Sequence, residues 1–242
     1  MHVAILQTGQ TNPAMPPEFH DYPALFLDLF TADPRGNAYK FTAVPIIDNV
    51  FPESIHAFDA YIVTGSRHGV YDDLPWIPVL MDFIRDAHAA AKPLIGVCFG
   101  HQLIAHALGG HAAKSSKGWG LGVNEVALFD QPEWMPAKDS IRLIHIHQDQ
   151  VEQLPPDATL IGSNDFCPNA MFYIDDNVFC VQGHPEFTID YIAALMKTRI
   201  DLLGEETVEQ ALKTLDRGHD GQTFAGWAIS FLEHYQKRQA AA

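Results

Sequence analysis

A buried strand that passes directly into a helix is the clearest local signal of the sequence. The segment reads Pro93-Leu94-Ile95-Gly96-Val97-Cys98-Phe99-Gly100-His101-Gln102-Leu103-Ile104. Glycines two positions before and after Cys98 allow a sharp turn between strand and helix, because they carry no Cβ. A thiol at this turn lies at a helix N-terminus, where the helix dipole favours the thiolate. The pattern predicts a cysteine nucleophile with the amide of Phe99 beside it; the alternative is that Cys98 is a small buried apolar residue.

Short apolar runs around this segment alternate with longer segments of helical period, which is the pattern of a sheet covered by helices. Residues 76–91 carry apolar side chains at three- and four-residue spacing and predict an amphipathic helix. Asp72 and Asp73 stand where they would cap it, or would meet an ammonium group if they lie above a pocket. Buried strands are predicted at residues 2–6, 41–44, 60–63 and 94–97.

The second half of the chain predicts a mixed or antiparallel extension of the sheet. Two closing helices are expected, separated by a polar stretch that contains residues 217–221. Residues 7–35 predict an irregular or helical excursion after the first strand. The predicted fold class is α/β, a mostly parallel central sheet flanked by helices with an antiparallel extension, in a single domain over residues 1–242. The strands are expected at 120–129, 141–147, 159–162, 170–174 and 178–182, and the helices at 188–203 and 224–236.

Composition narrows the class of partner. The 242 residues have a formal net charge of −15, which disfavours binding to nucleic acid or to anionic membrane surfaces and favours small-molecule chemistry. The three cysteines are widely spaced and form no paired motif, so neither a disulfide framework nor a zinc ribbon is expected. Neither a secretory signal nor a long apolar run is evident, and the cytoplasm is the expected compartment.

A cysteine nucleophile needs a base and an acceptor that orients the base. The best candidates lie in Val181-Gln182-Gly183-His184-Pro185-Glu186. Pro185 disfavours a helical conformation at His184, and side chains two apart in an extended segment face the same way, so His184 and Glu186 can address one site. The alternative is a simple loop in which Glu186 serves the N-terminus of the following helix.

Together these two segments resemble the class I (triad) glutamine amidotransferases, and the resemblance covers nearly the whole chain. It implies a flavodoxin-like fold in which Cys98 is the nucleophile, His184 the base and acid, and Glu186 the orienting carboxylate. Two further segments resemble the family's oxyanion loop and the segment that meets the substrate's amino-acid end. The implied oxyanion donors are the amides of Phe99 and Ser66 with Gly65 adjacent, and the implied substrate-binding residues are Gln102, His147, Gln148 and Asp149.

The activity implied by the resemblance is hydrolysis of a γ-glutamyl amide bond, in glutamine or in γ-glutamyl peptides and amines, through a γ-glutamyl thioester. The loop from Gly65 and the free-standing length are more similar to γ-glutamyl peptidases than to the glutaminase domain of guanylate synthetase. Two alternatives stay open: a glutaminase subunit that delivers ammonia to a separate synthetase, and a non-catalytic regulatory protein on the same scaffold. No cofactor is implied, and His145 with His147 lacks a third metal ligand nearby.

Overall fold

The computed structural model describes residues 1–19 and 21–241, and eleven strands lie within them. Nine strands form one sheet and two form a small second sheet. The strands are β1 (His2–Leu6), β2 (Lys40–Val44), β3 (Ala60–Val63), β4 (Leu94–Val97), β5 (His111–Lys114), β6 (Gly120–Leu128), β7 (Ser140–His147), β8 (Asp149–Gln153), β9 (Ala158–Ser163), β10 (Met171–Ile174) and β11 (Val178–Val181).

The main sheet has a parallel half and an antiparallel half. Its strand order is β2-β1-β3-β4-β11-β10-β9-β6-β7. Every pair from β2 to β11 is parallel, and every pair from β11 to β7 is antiparallel. The second sheet pairs β5 with β8 in antiparallel fashion. The carboxyl ends of the parallel strands β4 and β11 therefore lie side by side, which is where sites form in open α/β sheets.

Helices cover both faces of the sheet, and each face has its own apolar cluster. One cluster contains buried residues of α2 and α3, and the other contains those of α1, α4, α6 and α7. Burial of both faces explains why the inner parallel strands β1, β3, β4 and β11 are almost wholly apolar. The helices are α1 (Tyr22–Thr31), α2 (Trp76–Ala89), α3 (Phe99–Ala107), α4 (Ile189–Lys197), α5 (Ile200–Leu203), α6 (Glu205–Thr214) and α7 (Gly221–Ala241).

The predicted architecture is confirmed, and most strands agree with their predicted bounds within one residue at each end. The excursion after β1 contains α1 and short 3₁₀ turns at Pro17–Phe19 and Pro34–Ala38. Position 20 of that excursion lies outside the described residues. Among the residues that the structure does describe, none of the helices combines the length and apolar character needed to cross a bilayer.

Two helix predictions are wrong in detail. The single helix expected at 188–203 is broken after Lys197, where the hydroxyl of Thr198 donates to the carbonyl of Leu195 at 2.8 Å and competes with helix continuation. The polar stretch predicted between the two closing helices contains a further helix, α6 at Glu205–Thr214, whose buried residues Val208 and Ala211 lie three apart on one face. The other positions of α6 are mostly polar, so in the sequence this segment resembles a solvated linker.

Capping of α2 by acids is also wrong. The N-cap is Pro75, which forms no side-chain cap hydrogen bond. The carboxylate of Asp72 instead accepts from the backbone amide of Gly69 at 3.2 Å and lies 3.3 Å from the ring of His68. Asp72 therefore closes a loop ahead of the helix, and it lines the cavity that contains Cys98.

Candidate active site

Cys98 occupies a strained turn between β4 and α3. Its backbone angles are φ 53° and ψ −100°, an unusual conformation for a residue other than glycine, and its amide donates to the carbonyl of Val181 at 2.9 Å. The chain passes close to neighbouring backbone here. A Cβ added to Gly100 would lie 2.2 Å from the carbonyl oxygen of Val63. Only glycine fits at position 100, because the backbone of β3 lies so close. Cys98 is thereby held at the N-terminus of α3.

His184 and Glu186 lie at the end of the neighbouring strand β11. The Nδ1 atom of His184 is 2.7 Å from Oε1 of Glu186, and both side chains are buried. The amide of His184 donates to the carbonyl of Ile144 in β7 at 2.7 Å, which fixes the backbone at this point. Thr188, rather than Glu186, caps α4 by accepting from the amide of Tyr191. The loop alternative for Glu186 is therefore wrong.

The imidazole of His184 contacts Cys98 as well as Glu186, so the structure brings all three residues together. Because Nδ1 pairs with the carboxylate, Nε2 remains for the sulfur. Burial alone would lower the pKa of His184, but the negative charges of Cys98 and Glu186 and their hydrogen bonds raise it to about 10. This arrangement therefore favours the imidazolium form of His184.

Tyr22 contacts the carboxylate of Glu186, and it lies in the segment 7–35, for which the sequence predicted only an irregular or helical excursion. Its phenol donates to Oε1 of Glu186 at 3.3 Å. Burial, together with the charge of Glu186, raises the pKa of Tyr22 well above its usual value, so the phenol keeps its proton. Phe187 stacks on the ring of His184 with centroids 4.1 Å apart and restricts its rotation. The orientation of the imidazole is fixed from three sides.

The predicted oxyanion donors are near the sulfur. Phe99 is the first residue of α3, and such an amide has no acceptor within its helix. Ser66 lines a cavity of about 250 Å³ together with Cys98. A Cβ added to Gly65 would lie 2.8 Å from Cε1 of His184, so only glycine fits beside the imidazole. The loop 65–66 therefore meets both the cavity and the base.

The predicted substrate residues line the same cavity, but several of their polar atoms are already bonded. The side-chain amide of Gln102 donates to the carbonyl of Asp149 at 2.8 Å and to Oε1 of Gln182 at 3.1 Å. Gln182 in turn donates to the sulfur of Cys98 at 3.6 Å. These contacts make Gln102 and Gln182 a polar support behind the sulfur; Gln182 was not among the predicted site residues.

His147 and Asp149 differ in what they present to the cavity, and Gln148 lies between them on its wall. Nδ1 of His147 is 3.0 Å from the carbonyl oxygen of Asp149, and its Nε2 is 3.0 Å from Nδ1 of His145. Burial lowers the pKa of His147 to about 4, so this ring is neutral. The carboxylate of Asp149 is only partly buried, and it bonds with the phenol of Tyr71.

Comparison with known proteins agrees with this fold. The sequence pattern of the family described as glutamine amidotransferase class-I matches residues 38–195. Gamma-glutamyl peptidase 3 of Arabidopsis thaliana is 30% identical over 71% of this chain and 73% of its own length. A glutamine-hydrolyzing GMP synthase subunit of Sulfolobus acidocaldarius is 30% identical over 60% of this chain and 76% of its own length. A solved glutamine amidotransferase from Thermotoga maritima superposes with a TM-score of 0.75 over 96% of both chains, at 18% identity.

The chain belongs to the class I glutamine amidotransferase family. It is a hydrolase-type enzyme, and its relatives support activity on glutamine-type amides.

Proposed function

We propose that the protein hydrolyses γ-glutamyl amide bonds with Cys98 as nucleophile, His184 as acid and base, and Glu186 as orienting carboxylate. The observation that carries the proposal is the position of one buried imidazole between a sulfur and a carboxylate, with its Nδ1 2.7 Å from Glu186. Nucleophile, base and orienting group in this order are the arrangement that activates a cysteine for acyl transfer.

In the first half-reaction the thiolate of Cys98 attacks the γ-carbonyl carbon, and the carbonyl electron pair moves to the oxygen. Amides of Phe99 and Ser66 would stabilise this oxyanion; one such donor contributes about 10²–10³ in rate. When the tetrahedral species collapses, the carbon–nitrogen bond breaks and the imidazolium of His184 gives its proton to the departing amine. A γ-glutamyl thioester and a neutral imidazole remain.

In the second half-reaction His184 takes a proton from water, whose oxygen attacks the thioester carbonyl. Collapse of the second tetrahedral species expels the thiolate, releases glutamate and restores the imidazolium. The raised pKa of His184, about 10, fits the first step because the proton is present before the amine leaves. Protonation of that amine makes it a better leaving group.

γ-Glutamyl peptides are the substrate class that we propose, with glutamine as a lesser substrate. Relatives named gamma-glutamyl peptidase support it, one at 30% identity over 71% of this chain and one at 34% over 61%. The GMP synthase relative favours a second candidate, a glutaminase that passes ammonia to a separate synthetase.

Glutamate release by the purified chain tests the proposal. We expect hydrolysis of γ-glutamyl-alanine without any partner, and loss of all detectable hydrolysis in Cys98→Ala. Cys167→Ala is the matched control, because burial raises the pKa of that thiol to about 12 and makes it a poor nucleophile. Near-normal hydrolysis by Cys98→Ala would remove this cysteine from the mechanism. A strong preference for glutamine that appears only with an added second protein would favour the role of a glutaminase for a synthetase.

A further inference from the structure

Arg199 is a cation at the site, and it has no hydrogen-bond or ion-pair partner for its guanidinium among the described residues. It lies at the break between α4 and α5, and its side chain lines the cavity that contains Cys98. The residue is partly buried. Guanidinium groups taken out of water are normally paired. An unpaired one beside a nucleophile suggests that its partner is a ligand.

Arg67 brings a second positive charge to the same place. Both arginines line the cavity of Cys98 and also a smaller space of about 40 Å³ that reaches His184. Burial lowers the pKa of Arg199; Tyr191, Tyr22 and Cys98 oppose this effect, and the charge of Arg67 adds to it. Two guanidinium groups that repel each other form a site for an anion, because a bound anion removes the repulsion and satisfies both forks of donors.

Negative charge lies elsewhere in the cavity. Asp72 and Asp149 line it but do not line the smaller space at His184. These carboxylates, with the phenol of Tyr71 against Asp149, suit the ammonium group of a glutamyl substrate. Both arginines line the cavity that contains Cys98 and also the smaller space that reaches His184. In the proposed mechanism the departing amine takes its proton from His184. The arginines are placed to meet the amine side of the scissile bond.

We propose that Arg199, assisted by Arg67, binds a carboxylate on the leaving amine, so that the enzyme prefers γ-glutamyl amino acids and peptides over γ-glutamyl amines without a carboxylate. The proposal rests on the function proposed above. Arg199 lies outside residues 38–195, the part of the chain that the family pattern matches. Leu202, which is 64% exposed at the same cavity, offers apolar surface to the side chain of the departing amino acid.

A pair of substrates that differ by one carboxylate tests this assignment. γ-Glutamyl-alanine and γ-glutamyl-ethylamide have the same acyl group, and their amines differ only by that carboxylate. The measured quantity is the ratio of kcat/KM for the first substrate to that for the second. In Arg199→Gln we expect the ratio to fall about ten- to a hundredfold, the effect of losing a charge-assisted hydrogen bond. Arg199→Lys should recover part of the ratio.

Lys197→Gln is the matched control, because it removes one exposed positive charge two residues away; its ratio should equal that of the wild type. Arg67→Gln is a second variant at the same place and should lower the ratio as well. An unchanged ratio in a folded Arg199→Gln protein, including an equal fall of both substrates, would overturn the proposal, since Arg199 would then act on the acyl end or on the sulfur. No hydrolysis of either substrate by the wild type would instead reject the proposed function.

Discussion

Glu186→Gln removes the charge that orients the proposed base while preserving the shape of the side chain. In the wild type, Oε1 of Glu186 is 2.7 Å from Nδ1 of His184, and the pair is buried. A hydrogen bond to a charged group contributes about 1.5–3 kcal/mol. If that contribution is lost from the transition state, kcat/KM falls about ten- to a hundredfold.

The same substitution changes the pH dependence. The pKa of His184 is raised to about 10 by Cys98 and by Glu186 against the effect of burial. A base with a raised pKa is protonated below that value, so wild-type activity should fall on the alkaline side as pH rises through about 10. Without the carboxylate the pKa of His184 decreases, and the alkaline limb should move to lower pH.

Initial rates of γ-glutamyl-alanine hydrolysis across the pH range measure both effects. Asp190→Asn is the matched control, because it removes an exposed negative charge close by in the chain. The reasoning would be refuted by a Glu186→Gln protein whose kcat/KM and alkaline limb both match those of the wild type. If the alkaline limb moves as far in Asp190→Asn as in Glu186→Gln, the cause is the overall loss of negative charge rather than the contact between Glu186 and His184.

Two further substitutions test the surroundings of the imidazole. In Gly65→Ala the new Cβ would lie 2.8 Å from the ring of His184 and should displace it. We expect kcat to fall by about an order of magnitude or more, the effect of a small misplacement at a reacting centre. Gly226→Ala is the control in the same rate assay and should be tolerated, because the nearest atom to its new Cβ would be 3.5 Å away. Tyr22→Phe removes one hydrogen bond to Glu186, worth about 1 kcal/mol, and should reduce kcat/KM about fivefold. If both kcat/KM and the pH–rate profile are unaltered, the phenol contributes nothing.

The parallel half of the fold could be predicted from the sequence, because strands that are buried on both faces require continuous apolar runs. β1, β3 and β4 are such runs, and their predicted bounds are those of the structure. The predicted positions of Cys98, His184 and Glu186 were legible for a different reason, since two short motifs constrain backbone as well as side chain. The structure brings these three together; their catalytic roles stay a prediction.

Other parts of the site carry no local signal. Tyr22 reaches Glu186 from a helix 164 positions earlier, and only tertiary packing brings them together. Arg199 is one of several charges in a helical stretch. That its guanidinium has no partner within residues 1–19 and 21–241 can be seen only in the structure, where the helix is broken after Lys197. Gln102 was expected at the substrate, yet its amide is occupied by Asp149 and Gln182. Such pairings depend on long-range contacts rather than on spacing.

The pairing of β4 with β11 has a consequence for how this scaffold tolerates change. Val97 is aligned with Val181, so the sulfur and the imidazole project from two adjoining strands whose mutual position is set by backbone ladder bonds. Of the positions between them, Ile144 also holds His184 in place, because its carbonyl accepts from the amide of His184 at 2.7 Å. Opening the polypeptide at the exposed residues 136 and 137 and joining residues 1 and 242 by a linker should therefore yield a permuted chain with the reacting pair intact, because exposed loop positions accept such rearrangement.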